Sequence, residues 1–213
     1  MTRHSKGTLW IGTGLLLIAV ALSLSIWNQL ESIQAGAAAK TIVRHLEDFV
    51  SSDTSPSEAS EAEIPDYLLD PNMDMPVENI DGYDSIGLLE IPTLNLRLPV
   101  LSDWNYPQLQ ISPCRYGGSV YTNTLIIAAH NYASHFGHLK DLHTGDPVIF
   151  TDIDGNRFYY TVSELEILLP SAIREMENGD WDLTLFTCTI GGQSRVALRC
   201  VQAEAPPTAV LPT

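Results

Sequence analysis

The most informative stretch of the sequence is Leu183-Thr184-Leu185-Phe186-Thr187-Cys188-Thr189. Polar and apolar residues alternate through its middle and most of them favour β structure, which predicts a strand that runs up to Cys188. A Gly-Gly pair at 191–192 marks a turn, and Ser194 to Val201 predicts a second strand. A hairpin of the two strands brings Cys188 beside Arg195. A neighbouring guanidinium favours the reactive thiolate form of a cysteine, so this arrangement suits a nucleophile.

Two further residue types complete a pattern for thiol catalysis. Residues 124–129 form a continuous apolar run, which predicts a buried strand that ends at His130. Imidazole exchanges protons near neutral pH, so His130 is the expected acid and base. Arg195 is the expected orienting group for the oxyanion, because guanidinium stays charged and offers a fork of donors. Arg199 competes with it, since the even offset puts both side chains on one face of a strand. We favour Arg195 because it follows the turn directly.

These segments resemble the signature of sortases, the transpeptidases that attach proteins to Gram-positive cell surfaces. Thr-Leu-Phe-Thr-Cys with an arginine seven residues later resembles their nucleophile strand, and Ala-Ala-His-Asn at 128–131 resembles their histidine segment. The opening strands are similar too, in Ile-Gly-x-Leu-x-Ile-Pro from Ile86. The resemblance extends from about Ile86 to Val201.

The resemblance implies a fold, a reaction and a set of site residues. The fold is all-β: a closed eight-stranded barrel with short helices, preceded by an N-terminal transmembrane helix. The many short predicted strands with Gly, Pro and Asn turns agree with that class. Sortases cleave an LPxTG-like sorting signal near the C-terminus of a secreted protein. They hold the product as a thioester and pass it to an amine on a cell-wall precursor or a pilin lysine. The implied site residues are the catalytic Cys188, His130 and Arg195, and the substrate-binding Thr187 and Ala129.

The sequence departs from the common family pattern at two places near the site. The small residue before the histidine is Ala129, where glycine is frequent, and the segment between Cys188 and Arg195 is short and rich in glycine. The short segment resembles that of some class B sortases. Upstream, the acidic segment that contains Asp81-Gly82-Tyr83 is a candidate cover for the substrate groove.

The N-terminal region predicts a membrane anchor. Residues 9–27 form a nearly unbroken apolar run, about long enough to span a bilayer, with tryptophans at both ends. Basic residues precede the run, which predicts a cytoplasmic N-terminus and an extracellular domain. A cleaved signal peptide is the alternative, because small residues follow at 35–39. The predicted divisions are a cytoplasmic N-terminus (1–8), a transmembrane signal anchor (9–27), a juxtamembrane helix and acidic linker (28–82), the catalytic domain (83–204) and a C-terminal tail (205–213).

Charge and cysteine content restrict the partners and the redox state. The formal net charge of −15 argues against a nucleic-acid partner. The expected partners are secreted proteins with a sorting signal, an amine acceptor and the cell membrane. Three cysteines cannot all pair. A disulfide between Cys114 and Cys200 would leave Cys188 free in an exported domain, and three free thiols are the other interpretation.

A group of histidines after the predicted buried strand raises a metal alternative. His135 and His138 have the spacing of ligands on one face, and His143 follows. No HExxH or CxxC pattern accompanies them, so we predict neither a metal nor a cofactor. Asp152 and Asp154 are candidate calcium ligands, but carboxylates at hairpin turns are more often structural.

Two other functions use the same residues differently. A thiol protease would employ the Cys–His pair with water as acceptor, and the response to an added amine separates it from a transpeptidase. A non-enzymatic, membrane-tethered β domain would need no reactive cysteine, so the reactivity of Cys188 separates it from both enzymes.

Overall fold

The computed structural model describes residues 3–53 and 64–204. The predicted C-terminal tail (205–213) and part of the predicted acidic linker (54–63) lie outside these ranges. The chain divides into two compact units, Met1–Gln34 and Ala35–Thr213. The first unit is the N-terminal part of helix α1 (Arg3–Asp53). Among the described residues, α1 is the one helix that is long and apolar enough to cross a membrane.

A closed β-barrel forms the second unit. Eight strands, β2 to β9, follow one another by hydrogen bonding in the order β2-β3-β4-β5-β8-β9-β7-β6, and β6 pairs with β2 to close the barrel. Strand β1 adds a short hairpin to β2. The strands are β1 (Glu78–Ile80), β2 (Tyr83–Ile91), β3 (Leu96–Leu101), β4 (Cys114–Gly117), β5 (Leu125–Ala129), β6 (Pro147–Asp152), β7 (Arg157–Leu168), β8 (Leu183–Cys188) and β9 (Arg195–Gln202). The all-β, eight-stranded barrel expected from the sequence is therefore confirmed.

Short helices accompany the barrel, as expected. Helix α2 (Asp66–Leu69) precedes β1, whereas α3 (Tyr106–Leu109), α4 (Ile173–Glu177) and the 3₁₀ turns at Pro92–Leu94, Val120–Thr122 and Leu139–Asp141 lie in connections between strands. Helix α3 begins at Tyr106, has Pro107 in its first turn and is capped by Asn105, whose side chain accepts a hydrogen bond from the Gln108 amide at 2.9 Å. Helix α4 lies in the long connection from β7 to β8.

The inside of the barrel is the hydrophobic core. Alternate residues of β8 point inward, and Leu183 and Leu185 are fully buried there. Strand β5 is buried along its whole length because it is covered on both faces. The core also takes apolar side chains from every other long strand, among them Ile86, Leu89, Val100, Val148, Phe150, Tyr160 and Leu198. Residues at the even positions of β8 therefore face outward, away from the core.

The C-terminal part of α1, from Ala35 onward, belongs to the barrel unit. Its apolar stripe packs on the outside of the barrel, where Ile42, Val43 and Leu46 meet side chains of Ile80, Leu88 and Ile153. The helix also comes close to the loop after β5. A Cβ atom on Gly36 would lie 2.8 Å from the Cβ atom of Ser134. In the structure this part of α1 is therefore a helix that packs on the barrel.

Strand β4 is not evident from the local sequence. Cys114–Gly117 pairs with β5, although the Gly-Gly pair at 117–118 is a turn signal. Pairing between distant segments completes β4, and local turn signals such as Gly-Gly at 117–118 do not report such pairing.

The structure decides between the two interpretations of the cysteines and excludes a disulfide between Cys114 and Cys200. All three cysteines are free, and Cys114 and Cys200 are both fully buried. Cys114 lies on β4 and Cys200 on β9, with β5 and β8 between them. Three strand spacings amount to about 14 Å, whereas two Cα atoms must lie within about 7 Å for a disulfide. The alternative of three free thiols is the one the structure supports.

The candidate metal ligands make protein contacts instead. The Asp152 carboxylate accepts hydrogen bonds from the Asn156 amide (2.8 Å) and the Tyr121 hydroxyl (2.8 Å), which anchors the β6–β7 turn. His135 is buried, while the exposed His138 pairs with Asp141 at 2.9 Å. Within residues 3–53 and 64–204, no three His, Cys, Asp or Glu side chains are grouped to hold a metal ion.

The burial of His135 predicts a pH-dependent stability. Burial, aided by the charge of nearby His130, lowers the pKa of His135 to about 4. The unfolded chain therefore takes up this proton first, near pH 6.5, while the folded chain does not. Neutral, buried His135 thus contributes to the free energy of unfolding. We expect this contribution to be complete above pH 6.5 and to be lost as the pH falls towards 4, a change on the order of 3 kcal/mol.

Urea unfolding in mild detergent at several pH values between 7 and 4 measures this effect. His135→Phe should flatten the dependence of the unfolding free energy on pH, because it removes the titrating group and keeps an aromatic ring. The exposed His143 provides the control, and His143→Gln should leave the slope unchanged. Equal slopes for wild type and His135→Phe would refute the assignment.

Candidate active site

Strands β8 and β9 place the predicted nucleophile beside the predicted arginine. Cys188 is the last residue of β8 and Arg195 the first of β9, and they are direct partners in the antiparallel register. The turn between them is short, and Thr189 closes it by donating from both its backbone amide and its hydroxyl to the Ser194 carbonyl (3.0 and 3.2 Å). Gly191 and Gly192 have φ of 83° and 71°, which glycine adopts without strain. The hairpin predicted from the sequence is thus confirmed.

The parallel pairing of β5 and β8 brings the predicted histidine to the same place. Ala129 and Thr187 are partners in this register, and the Thr187 hydroxyl donates to the Ala129 carbonyl at 2.8 Å. His130 and Cys188 are the residues that follow this pair, so they lie at the same end of two adjacent strands. The His130 ring lies 5.0 Å from the ring of Tyr132.

A groove on the outer surface of the barrel contains all three predicted catalytic residues. Its cavity volume is about 230 Å³, and most of its lining is apolar. Ala129 also lines it, whereas Thr187 lies beneath it, buried with its hydroxyl on the Ala129 carbonyl. The other lining residues are Trp104, Tyr106, Leu109, Tyr116, Ala128, Leu169, Pro170, Ala172, Ile173, Met176 and Phe186.

An aromatic cluster forms one wall of the groove, and sequence reasoning missed it. The Trp104 ring packs against Tyr106 (centroids 6.3 Å apart) and Tyr116 (5.5 Å), and Tyr116 stands edge-on to Phe186 (5.3 Å). Burial, together with the Glu177 carboxylate, raises the pKa of Tyr116. The available signal was the group of aromatic residues in an otherwise polar stretch after β3.

Helix α4 and the residues before it form the opposite wall, which the sequence did not indicate either. Ala172, Ile173 and Met176 face the groove. Arg199, the competitor for the catalytic arginine, is 1% exposed beneath α4 and does not line the groove. Residues 64–83, the described part of the candidate cover, do not line the groove; their Tyr67 stacks on Tyr121 instead (4.9 Å).

The geometry supplies the components of thiol-based acyl transfer. A partly exposed cysteine at a strand end has an arginine as its cross-strand partner, and a histidine ends the neighbouring strand. The Arg195 Nη1 atom donates to the Gly192 and Ser194 carbonyls, each at 3.2 Å, so the turn orients the guanidinium. An apolar groove that runs past these groups can hold an extended peptide against the thiol.

Comparisons with known proteins agree with this geometry. The family model for the sortase domain matches residues 89–203, more than half of the chain. No match is found among curated proteins.

Several solved structures share the fold. Sortase D5 of Clostridium perfringens is 19% identical over 78% of this chain and 100% of its own, with a TM-score of 0.55. A lid mutant of sortase A of Corynebacterium diphtheriae is 22% identical over 80% of this chain and 96% of its own (TM-score 0.52). Sortase C1 of Streptococcus suis is 24% identical over 59% of this chain and 76% of its own (TM-score 0.51).

At these identities the structural likeness supports the fold alone, and the class B-like subclass stays a prediction. The family match covers β8 and β9 with the hairpin between them, and also β5 with the histidine that follows it. The chain belongs to the sortase family of cysteine transpeptidases.

Proposed function

We propose that this protein cleaves a sorting signal and transfers the product to an amine, with Cys188, His130 and Arg195 as its catalytic residues. The observation that carries the assignment is the pairing of β8 with two strands. Its pairing with β9 brings Cys188 beside Arg195, and its pairing with β5 brings His130 to the neighbouring strand end. The substrate-binding roles of Thr187 and Ala129 belong to the same proposal, with Ala129 in the groove and Thr187 beneath it.

The first half-reaction forms an acyl-enzyme. The Cys188 thiolate attacks the carbonyl carbon of the scissile peptide bond, and the oxyanion that forms is stabilised by the Arg195 guanidinium. Protonated His130 gives its proton to the leaving amine as the C–N bond breaks. The product is a thioester on Cys188 and a released C-terminal fragment. His130 is then neutral and ready to accept a proton.

The second half-reaction resolves the thioester. An amine on a cell-wall precursor or a pilin lysine gives a proton to His130 and attacks the thioester carbon. The C–S bond breaks, the Cys188 thiolate is regenerated and a new amide bond forms. The apolar lining of the groove favours a peptide with apolar side chains and limits water near the thioester. A thioester protected in this way lasts long enough for an amine to arrive.

The proposal predicts that Cys188 is the one selectively reactive thiol. Burial raises the pKa of both Cys114 and Cys200 to about 12, so these thiols remain protonated and inaccessible at neutral pH. Cys188 is partly exposed in the groove. Iodoacetamide at pH 7 should therefore give a single adduct, on Cys188, detected by peptide mass spectrometry.

Cys188→Ala is the control for this labelling experiment. The folded variant should give no adduct, and after denaturation it should give two. Labelling of Cys114 or Cys200 in the folded protein at a rate similar to that of Cys188 would contradict the assignment.

The proposal also predicts amine-dependent transfer. With the full chain in detergent and a library of fluorescent LPxTG-like peptides, we expect a thioester adduct on Cys188 and a turnover that rises with an added amine. Cys188→Ala should abolish both. Arg195→Lys should lower kcat/KM about 100-fold, because the oxyanion loses its fork of donors. Arg97→Lys, at an exposed ion pair with Glu90 (3.0 Å), should leave kcat/KM unchanged.

Two other outcomes of this assay would overturn the proposal. Turnover that does not respond to amine would identify a thiol protease with water as acceptor. The absence of any adduct, together with an unreactive Cys188, would identify a non-enzymatic extracellular β domain.

The proposed location is the cell membrane, with a single span at residues 9–27 and the catalytic domain (83–204) outside. Large apolar side chains along this part of α1, such as Trp10, Leu16 and Leu17, are exposed. Such a surface is unfavourable in water and favourable in lipid. The arginine and lysine before the run place the N-terminus (1–8) in the cytoplasm, with residues 28–82 between the span and the catalytic domain.

Membrane retention tests the anchor. The full chain should stay with the membrane fraction after an alkaline wash. Leu16→Arg combined with Leu17→Arg should release it, because each charge at the centre of a span costs about 3 kcal/mol. Leu69→Arg, at an exposed leucine of α2, should have no effect. A shortened chain in the medium would instead indicate a cleaved signal peptide.

A further inference from the structure

A buried arginine lies beneath one wall of the groove. Arg199 is 1% exposed and is the largest of the fully buried side chains among the described residues. Arginine is rarely buried in this way, because its charge must be removed from water and every donor then needs a partner. Arg199 is outside the groove and the catalytic set, so its burial requires a separate explanation.

The guanidinium of Arg199 joins the barrel to helix α4. On the barrel side it donates to the Glu166 carboxylate at 2.7 Å and to the Thr184 hydroxyl at 3.0 Å. On the helix side it donates to the backbone carbonyl of Met176 at 3.1 Å and to that of Glu175. One side chain thus connects three strands, β7, β8 and β9, to the end of α4.

Helix α4 has little stability of its own. It contains five residues, with internal backbone bonds from Met176 to Ala172 (3.1 Å) and from Asn178 to Arg174 (2.8 Å). A helix of this length is unstable in isolation, and its last carbonyls have no partner within the helix. A cation at the C-terminus both satisfies those carbonyls and interacts favourably with the helix dipole. Arg199 therefore provides hydrogen-bond donors for the C-terminal carbonyls of α4, which have no partner within the helix.

The tethered helix is a wall of the groove. Ala172, Ile173 and Met176 line it opposite the aromatic wall. The end of α4 also carries Glu177, whose carboxylate lies close to the Tyr116 hydroxyl of the aromatic wall. The position of α4 consequently helps to define the shape of the groove in which the peptide lies.

We propose that Arg199 is a positioning residue for substrate binding: it holds the C-terminal carbonyls of α4 against the barrel and thereby keeps the apolar wall in place. This inference rests on the proposed function, because it assigns the groove to a peptide with apolar side chains. Glu166 shares the role as the counter-charge that fixes the guanidinium. Neither residue touches the reacting atoms.

Substitution of Arg199 by lysine tests the tether. Lysine keeps the charge but presents a single nitrogen, which cannot reach two carbonyls, a hydroxyl and a carboxylate at once. For Arg199→Lys we expect KM for the sorting peptide to rise about tenfold or more, with kcat changed less than about threefold. Labelling of Cys188 by iodoacetamide, which needs no groove, should stay at the wild-type rate.

Two further variants complete the comparison. Glu166→Gln keeps an acceptor for the Arg199 Nε atom but removes the charge, so it should raise KM in the same direction by a smaller factor. Arg157→Lys is the matched control, because Arg157 also pairs with a glutamate (Glu90, 3.3 Å) but has no contact with α4 among its hydrogen bonds. Its KM should equal that of the wild type.

Hydrogen exchange decides the proposal independently of catalysis. In Arg199→Lys and Glu166→Gln, amides at 172–178 should exchange faster while those of β5 and β8 remain protected. If both variants fold and show neither faster exchange there nor a higher KM, the tether is overturned. If Arg199→Lys fails to fold, Glu166→Gln alone decides. A wild type that forms no thioester would refute the proposed function, whereas exchange at 172–178 would still report on the tether.

Discussion

The position of strand β8 between two partners is the constraint on which the site depends. Cys188 and His130 are 58 residues apart in the sequence, and only the parallel pairing with β5 brings their strand ends together. The antiparallel pairing with β9 adds Arg195 on the other side. Backbone registers of this kind are cooperative, because a slip of one residue would turn every side chain of β8 to the opposite face. The core that fills the barrel therefore also fixes the catalytic geometry.

The two faces of β8 have different roles: one contributes to the hydrophobic core and the other to the candidate active site. Leu183 and Leu185 face the core, whereas Phe186 and Cys188 line the groove. The strands hold the reactive groups in fixed positions, and the connections between strands supply the walls that would contact a peptide. Two of the four residues of the aromatic wall, Trp104 and Tyr106, come from the segment after β3, and the opposite wall comes from the β7–β8 connection with α4. This division matches the general use of rigid sheets to carry sites whose specificity lies in loops.

Arg195 and Arg199 show how a connection can change the role of a residue. Both point to the same face of β9, as their even offset predicted. Arg195 stands at the strand end, where the turn carbonyls orient it towards the groove. Arg199 is four residues further along, where α4 covers the strand. A backbone carbonyl of α4, that of Met176, accepts a hydrogen bond from the guanidinium there. The two arginines have different roles because different segments of the chain lie over their positions on β9. The local sequence of the strand does not predict which segment that is.

Several features of this protein follow from the sequence alone. Alternation and turn signals predicted β8, β9, the hairpin between them and the apolar strand that ends at His130, because these depend on short-range preferences and on the two-residue period of a strand. The long apolar run likewise indicated a candidate membrane span. Family membership could be inferred from motifs at Cys188, His130 and Arg195, since they lie within contiguous segments.

Other features were decided only by the tertiary structure. Strand β4 forms through pairing with β5, the cysteines of β4 and β9 are kept apart by two intervening strands, and the helix after the apolar run packs on the barrel. The groove walls and the burial of Arg199 depend on connections that cross the barrel surface. These outcomes arise from contacts between residues far apart in the chain. Local sequence preferences carry no information about such contacts, because their free energy is gained only after the barrel has closed.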